Sequence, residues 1–427
     1  MKLKMRKLII FTGKRKKTWR LVQVTLTSLF ALSETAGAQQ VVAPPPSVSL
    51  TPPAVLESAP DEMQVFSPEN PISSFPDEVQ PLQLGPVTLR PHMFYQFLYG
   101  NGIQSIPGQK QDTIVQAFAP GILLVLSPHW TLDYTPIFTF YSDKNFKNNV
   151  GQSVALTGGA SYENWTFGLS QSFTYSSSPQ VQTGTQTGQQ NYLTALTASC
   201  QLNTKMSVDL GLNQTLIFPD GFQSSREWLT LDWLNYQFWP RLTAGVGAGI
   251  GYVDSSPDMV FEQFQGRFGW RATDKISFQV SGGAQFSQFT DGGGDPLVNP
   301  IFGASIQYQP FDQTKLSVGA NRVVSPSYYQ NQINEITSVN ADLNQRLLGE
   351  FYLDVSAGYN WNNYIAAASR ASANDAADYY SVNVQLSTTF LKRGTVALFY
   401  NYSDNSTAQS GLGFTSSQFG FNIGYRY

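Results

Sequence analysis

The chain has few side chains that could act in catalysis or bind a metal. The chain of 427 residues has two histidines, His92 and His129, and one cysteine, Cys200. A catalytic histidine works beside a nucleophile or a carboxylate, and a structural zinc site needs several ligands at characteristic spacings. The sequence contains no such cluster, no phosphate-binding glycine loop and no nucleotide-binding fingerprint. We therefore expect no enzyme activity, no metal site and no cofactor.

Charged residues are also scarce, at 13% of the chain. Several fall on the polar side of segments in which apolar and polar residues alternate. These candidates are Arg90, Asp133, Asp209, Arg267, Asp342, Arg346 and Asp354. If the polar side lines a channel, their field sets ion and solute preference. The alternative is that they pair with one another and only stiffen a wall.

The alternation itself predicts the elements that position these charges. Apolar residues occupy every second position over long stretches, as in 351–361 and 380–386, and the intervening residues are small and polar. This period places the two sets on opposite faces of a β-strand. Such strands, with 35 glycines and 50 Tyr or Phe residues in the chain, are typical of a transmembrane barrel with lipid outside and water inside.

The C-terminal strand carries the pattern most clearly. Its apolar face is Phe419, Phe421, Ile423, Tyr425 and Tyr427, and the chain ends on an aromatic residue. This ending is similar to the signal that the bacterial outer-membrane insertion machinery reads, with Tyr in place of the commoner Phe. We therefore expect these five residues to direct assembly into the outer membrane.

The connections predict the number of strands. Eight short turns alternate with nine longer polar loops between residue 87 and the C-terminus, as tight periplasmic turns alternate with outer loops in bacterial barrels. Seventeen connections give eighteen antiparallel strands. Pro120 and Pro136 fall inside strands and predict a bulge or an edge irregularity. The segment 227–239 alternates poorly around Asp232, so sixteen strands remain an alternative.

The N-terminal 86 residues have a different composition. Residues 1–20 hold nine Lys or Arg, an apolar run follows, and Ala36-Gly37-Ala38 precedes Gln39, which predicts a signal peptide over 1–38 cleaved between Ala38 and Gln39. Residues 39–86 contain eleven prolines, six acidic residues and no Lys or Arg. This composition favours a disordered periplasmic arm. The barrel is predicted to occupy 87–427.

Charge limits the partners. Removing residues 1–38, with nine basic residues and one acidic residue, raises the acidic excess from 3 to 11. A nucleic-acid partner is therefore not expected, since phosphate binding needs a basic patch. The expected partners are outer-membrane lipid and lipopolysaccharide and the barrel insertion machinery. A homotrimer, or an envelope partner bound through residues 39–86, is also considered.

Within the barrel region the sequence resembles the second type of β-barrel porin, an outer-membrane family with some members encoded beside exopolysaccharide secretion genes. The resemblance lies in hairpins that begin with a short turn and continue as Leu-Ser-Val-Gly. The matching stretches are Lys315-Leu-Ser-Val-Gly319, 316–327, 340–346 and Val355-Ser-Ala-Gly-Tyr359. It implies a barrel and assigns no catalytic residues.

The predicted function is passive diffusion of small hydrophilic solutes through the outer membrane. An eighteen-stranded barrel is wide enough for a water-filled lumen, and the inward glycines of 241–252 would leave that lumen open there. His92 would face the lumen and His129 would lie in a periplasmic turn, away from the outer mouth where barrel hydrolases act. The alternatives are a partner of an envelope or exopolysaccharide export system, and a structural or adhesive barrel acting through loops 176–189 and 363–377.

Overall fold

The computed structural model describes residues 82–290, 296–329, 332–366, 376–391, 393–407 and 411–426. The predicted signal peptide, its cleavage site at Ala38 and Gln39, most of the proline-rich arm and Tyr427 lie outside these residues. In the described ranges, no helix is long and apolar enough to span a membrane.

The described residues form nineteen β-strands. They are β1 Leu82–Leu84, β2 Val87–Ile106, β3 Gln109–Ser127, β4 Trp130–Tyr141, β5 Asn149–Tyr162, β6 Trp165–Pro179, β7 Gln186–Gln201, β8 Met206–Pro219, β9 Ser225–Trp239, β10 Leu242–Asp254, β11 Met259–Arg271, β12 Ile276–Phe289, β13 Leu297–Phe311, β14 Thr314–Pro326, β15 Gln332–Leu347, β16 Phe351–Ala366, β17 Ala376–Phe390, β18 Gly394–Thr407 and β19 Phe414–Arg426.

Strands β2 to β19 form one closed ring. Each pairs antiparallel with its neighbours in the chain, and β19 returns to pair with β2, where Phe421 lies opposite Phe97. The prediction of an eighteen-stranded antiparallel barrel is confirmed, and sixteen strands are excluded. Following the register once around the ring returns to β2 about 22 residues further along, which corresponds to strands tilted by about 40°.

The first strand corrects the predicted boundary of the arm. Leu82–Leu84 pairs with the start of β2 through a tight turn at Gly85, whose φ of 62° suits a residue without a Cβ atom. The predicted disordered segment 39–86 therefore does not extend through its last five residues. Two leucines in this segment gain backbone partners on β2, which explains why pairing prevails over the local proline content.

The barrel has two chemically different faces. Outward positions carry large apolar side chains, such as Leu398 and Phe419, with 61% and 54% of their surface exposed. Inward positions carry small or amide side chains such as Gln285 and Ser287, which are buried. This division is what a wall between lipid and an aqueous interior requires.

The strand that closes the barrel follows the same division. Phe419, Phe421, Ile423 and Tyr425 share the outer face, as the sequence predicts. Phe421 stacks on Phe97 with ring centroids 5.5 Å apart, and Phe419 lies 5.3 Å from Tyr99. Aromatic pairs of this kind add to the backbone ladder at the closing seam.

The two strand prolines, for which the sequence predicts a bulge or an irregularity, interrupt the ladder between β3 and β4 without a bulge. The β3–β4 register is the same below them, at Ile122 and Tyr134, and above them, at Phe118 and Phe138. Pro120 and Pro136 therefore lie at one level of adjacent strands, and the paired residues are interrupted there without a shift. Proline lacks the ladder N–H, so grouping two prolines confines the loss to one level.

Candidate functional site: the barrel lumen

The barrel ends differ in their connections, and this defines two halves of the lumen. The turn side is the end with the tight turns, such as 163–164 between β5 and β6, and the loop side is the opposite end. Bacterial barrels keep tight turns in the periplasm and longer loops outside the cell. The turn side therefore corresponds to the periplasmic end.

All seven charged candidates have inward side chains on the turn side. They lie within five residues of the turn-side end of their strands and are called the charge belt: Arg90, Asp133, Asp209, Arg267, Asp342, Arg346 and Asp354. Arg322 on β14 points outward and pairs with Glu335 at 2.7 Å.

Within the charge belt, the structure brings Asp209 and Arg267 into direct contact. The Arg267 guanidinium on β11 donates to the Asp209 carboxylate on β8, across β9 and β10, and its Nε donates to Asn235 Oδ1 at 2.8 Å. Its charged carbon also lies 4.5 Å from the Trp233 ring centroid. The two charged side chains are only 20% and 17% exposed, so this cluster is a fixed part of the wall rather than a freely hydrated pair.

Asp133 lies in a second cluster with His92. The His92 Nε2 atom lies 3.0 Å from Asp133 Oδ2, and Thr135 Oγ1 donates to Asp133 Oδ1 at 2.8 Å. Gly121 makes room for the imidazole, because a Cβ atom there would lie 2.1 Å from His92 Cε1. Thr135 Oγ1 also lies 3.5 Å from His92 Nε2, so the three side chains form one hydrogen-bonded cluster in the wall.

The remaining belt residues have separate partners. Asp342 accepts from Ser317 at 3.4 Å and from Asn340 at 3.1 Å, and Asp354 accepts from Asn344. The Arg346 Nε donates to the Gly349 carbonyl at 2.8 Å at the edge of a turn, and Arg90 is exposed. Asp342 and Asp354 therefore form an acidic arc on β15 and β16 that is held by neutral groups.

The predicted open glycine face of β10 is covered. A Cβ atom on Gly247 would lie 2.7 Å from the Trp233 ring, and one on Gly251 would lie 2.1 Å from Phe261. The expectation that these glycines leave the lumen free is therefore wrong. Their missing side chains make room for aromatic rings from β9 and β11, and alternation alone cannot predict which neighbour fills such a space.

On the loop side, loops from distant strands meet across the mouth. Tyr328 Oη donates to Gln189 Oε1 at 2.7 Å, and Tyr329 Oη donates to the Gln182 carbonyl at 3.0 Å. Both tyrosines also contact the Phe222 ring, with centroids 6.2 Å away. We call these five residues the mouth bridge. Six strands separate β7 from β14 in the ring. The mouth bridge therefore crosses the opening of the lumen and does not follow its rim.

The mouth bridge is well packed. Tyr328 is 7% exposed, and its carbonyl accepts from the Gln223 N–H at 3.2 Å. Burial raises the pKa of the Tyr329 phenol above its ordinary value. Sequence reasoning missed the mouth bridge, because its loops have no periodicity and its partners are about 140 residues apart.

A cavity lies beside the mouth bridge, between β2, β19 and the loop-side ends of β4 to β6. Its lining includes Gln96, Thr139, Ser176, Gln180, Ser416 and Gln418, with Leu98, Ile137 and Phe414 as apolar members. Its lining contains no charged side chain. Amides and hydroxyls next to apolar surface suit a neutral, hydroxylated solute better than an ion.

The described residues include no group of three or more His, Cys, Asp or Glu side chains that could hold a metal ion. The inward face offers hydrogen bonds, fixed charges and steric restriction. These are the means by which a pore discriminates among solutes.

No protein-family model matches the chain, and no curated protein matches it. The solved structures that are similar to this chain include three proteins of Pseudomonas aeruginosa, each with a TM-score of 0.43 over 79% of this chain. OpdO is 13% identical over 97% of its own length, OpdK crystallised with vanillate is 11% identical over 99%, and OccK2 (OpdF) is 10% identical over 97%.

Proposed function

We propose that the protein is a channel of the bacterial outer membrane through which small hydrophilic solutes diffuse passively. The observation that carries the proposal is the closed eighteen-stranded ring with an apolar outer face and a polar inner face. A ring of this size exceeds what its own inward side chains can fill. The resemblance to the second type of β-barrel porin agrees with this role.

The preference of the channel follows from its two halves. The mouth bridge and the neutral cavity beside it limit size and favour uncharged solutes. The charge belt contains both signs, and its charges are partly neutralised within the wall. Weak ion selectivity is therefore expected, with the acidic arc of Asp342 and Asp354 as its main source.

Liposome swelling tests this function. Purified full-length protein in liposomes should admit small neutral sugars at rates that fall steeply with solute size. Liposomes with heat-denatured protein are the control. Complete exclusion of the smallest sugars by a folded, heat-modifiable barrel would contradict the channel.

A second candidate is a partner of an envelope or exopolysaccharide export system. The composition of residues 39–81, proline-rich and acidic, favours this candidate as a docking tether. Deleting 39–81 keeps β1 and should leave insertion and sugar uptake intact. Loss of polysaccharide export in the deletion strain would support the partner role, and unchanged export would remove it. An adhesive barrel would instead depend on loops 176–189 and 363–377.

A further inference from the structure

The outer face of the barrel has one sector that does not match lipid. Its polar members lie within about two residues of the centre of their strands and face outward: Gln171 on β6, Thr194 on β7, Gln214 on β8, and Thr230 and Asp232 on β9. We call them the polar row. Asp232 is the central residue of β9, so these side chains face the middle of the hydrocarbon layer.

The next three strands continue this level with small residues. Ala248 on β10, Gly266 on β11 and Gly282 on β12 face outward at the strand centres. The sector from β6 to β12 therefore presents a polar half and a shallow half at the same height.

The opposite sector is different. At the centres of β17, β18, β19 and β2, the outward residues are Val384, Tyr400, Phe421 and Tyr95. Two other outward polar side chains near strand centres have strong or aromatic partners within the chain, since Arg322 pairs with Glu335 at 2.7 Å and Gln116 accepts from Tyr95 at 3.4 Å. The concentration of polar groups on β6 to β9 is therefore a property of one sector.

The polar row is not saturated by its own chain. Thr194 donates to Gln214 Oε1 at 3.3 Å, Thr230 donates to the Ile250 carbonyl at 3.3 Å, and the Gly211 N–H donates to Asp232 Oδ1 at 3.2 Å. Within the described residues, the Gln171 carboxamide has no hydrogen-bond partner, and Asp232 is exposed on the outer face. A carboxylate at mid-depth of a lipid-facing wall is unfavourable unless another protein covers it.

We propose that this sector is the surface through which copies of this chain associate in the membrane. The side chains are self-complementary, because glutamine and threonine both donate and accept, and the amide donors of one copy can satisfy Asp232 of another. Small residues beside the row permit close approach of two barrels. Seven strands over the hydrocarbon layer give about 750 Å² per copy, which is the size of a stable interface.

The experiment is a cysteine scan on the full-length protein in native outer membranes, in a Cys200→Ala background. Thr194→Cys, Ala248→Cys and Gly266→Cys sample the sector and leave Gln171, Gln214 and Asp232 in place. Val384→Cys on β17 is the matched control. We expect an oxidant to give a covalent product of twice the chain mass from at least one sector position and not from the control. Equal or absent cross-linking at all positions would overturn the proposal.

A second measurement separates copies from other partners. Native mass spectrometry of detergent-extracted protein should give a multiple of the chain mass, and Gln171→Leu with Gln214→Leu should raise the monomer fraction at least tenfold. Heat-modifiable mobility verifies that the variant is folded. A wild-type monomer, a complex with a different protein, or an unchanged oligomer in the variant would each contradict association through this sector. Sugar uptake by the monomer tests the channel independently.

Discussion

The two halves of the lumen are built on the same strands but differ in what they present to a solute. On the turn side, Asp209, Arg267 and Asp133 are held by partners two or three strands away, so each charge has a defined position in the wall. On the loop side, the cavity beside the mouth bridge has no charged side chain in its lining, and the passage is restricted by the mouth bridge, which joins loops from distant strands. The comparison shows that the strands hold the charges of the charge belt, whereas contacts between loops restrict the mouth of the lumen.

The largest predicted effect is failure of the whole barrel to assemble, which abolishes both halves of the lumen. Deleting Tyr425 to Tyr427 removes the outward ring of Tyr425 and the last pairs of the closing seam, so the barrel should fail to assemble and the chain should accumulate in the periplasm. Cell fractionation and heat-modifiable mobility measure this. Tyr402→Ser, an outward aromatic on the loop side of β18, is the control and should assemble. Normal insertion of the truncated chain would contradict the role of the C-terminal strand.

A smaller effect is predicted for the fixed pair of the turn side. Asp209→Ala leaves the Arg267 guanidinium without its carboxylate, and we expect the free energy of unfolding to fall by about 1–2 kcal/mol, less than for a dry pair because the lumen is hydrated. Asp342→Ala removes an acid whose partners are neutral and should cost less. Urea unfolding of the refolded variants measures both changes in the free energy of unfolding. Equal decreases would mean that the pair of Asp209 and Arg267 adds no more stability than the neutral contacts of Asp342.

The sequence predicts the strand number and the facing of the seven belt charges, because period-two alternation and the spacing of turns are local properties. It does not predict the mouth bridge, since Tyr328 and Gln189 are distant in sequence and lie in aperiodic loops. Nor does it predict that Trp233 and Phe261 cover the β10 glycines, because side-chain placement across strands depends on register and rotamer. The poor alternation around Asp232 does not mark a missing strand. It reflects polar residues on the outer face of a continuous β9.

A modest change in ion preference should follow from the acidic arc. Asp342→Asn with Asp354→Asn removes two inward negative charges, so the cation-to-anion permeability ratio should fall about two- to threefold at low salt, and less at high salt. Reversal potentials across planar bilayers under a salt gradient measure this ratio. Asp220→Asn, in an exposed outer loop, is the control. An equal change in the control would assign selectivity to the loops.

The smallest effect concerns a single hydrogen bond of the mouth. Tyr329→Phe removes the donor to the Gln182 carbonyl and keeps the ring against Phe222. One such bond contributes about 1 kcal/mol, so the channel should show more frequent current fluctuations with little change in mean conductance. An unchanged current record would mean that ring packing alone holds the mouth bridge.

Single-channel conductance of the wild type and of Tyr328→Ala with Tyr329→Ala tests the central claim most directly. We predict a small, stable conductance for the wild type, because a ring of eighteen strands is wider than its inward side chains can fill and the mouth bridge restricts its loop side. We predict a severalfold increase in the double variant. Sugar uptake should extend to larger solutes in parallel. Absence of current from both folded proteins would contradict a channel, and equal currents would contradict restriction at the mouth bridge.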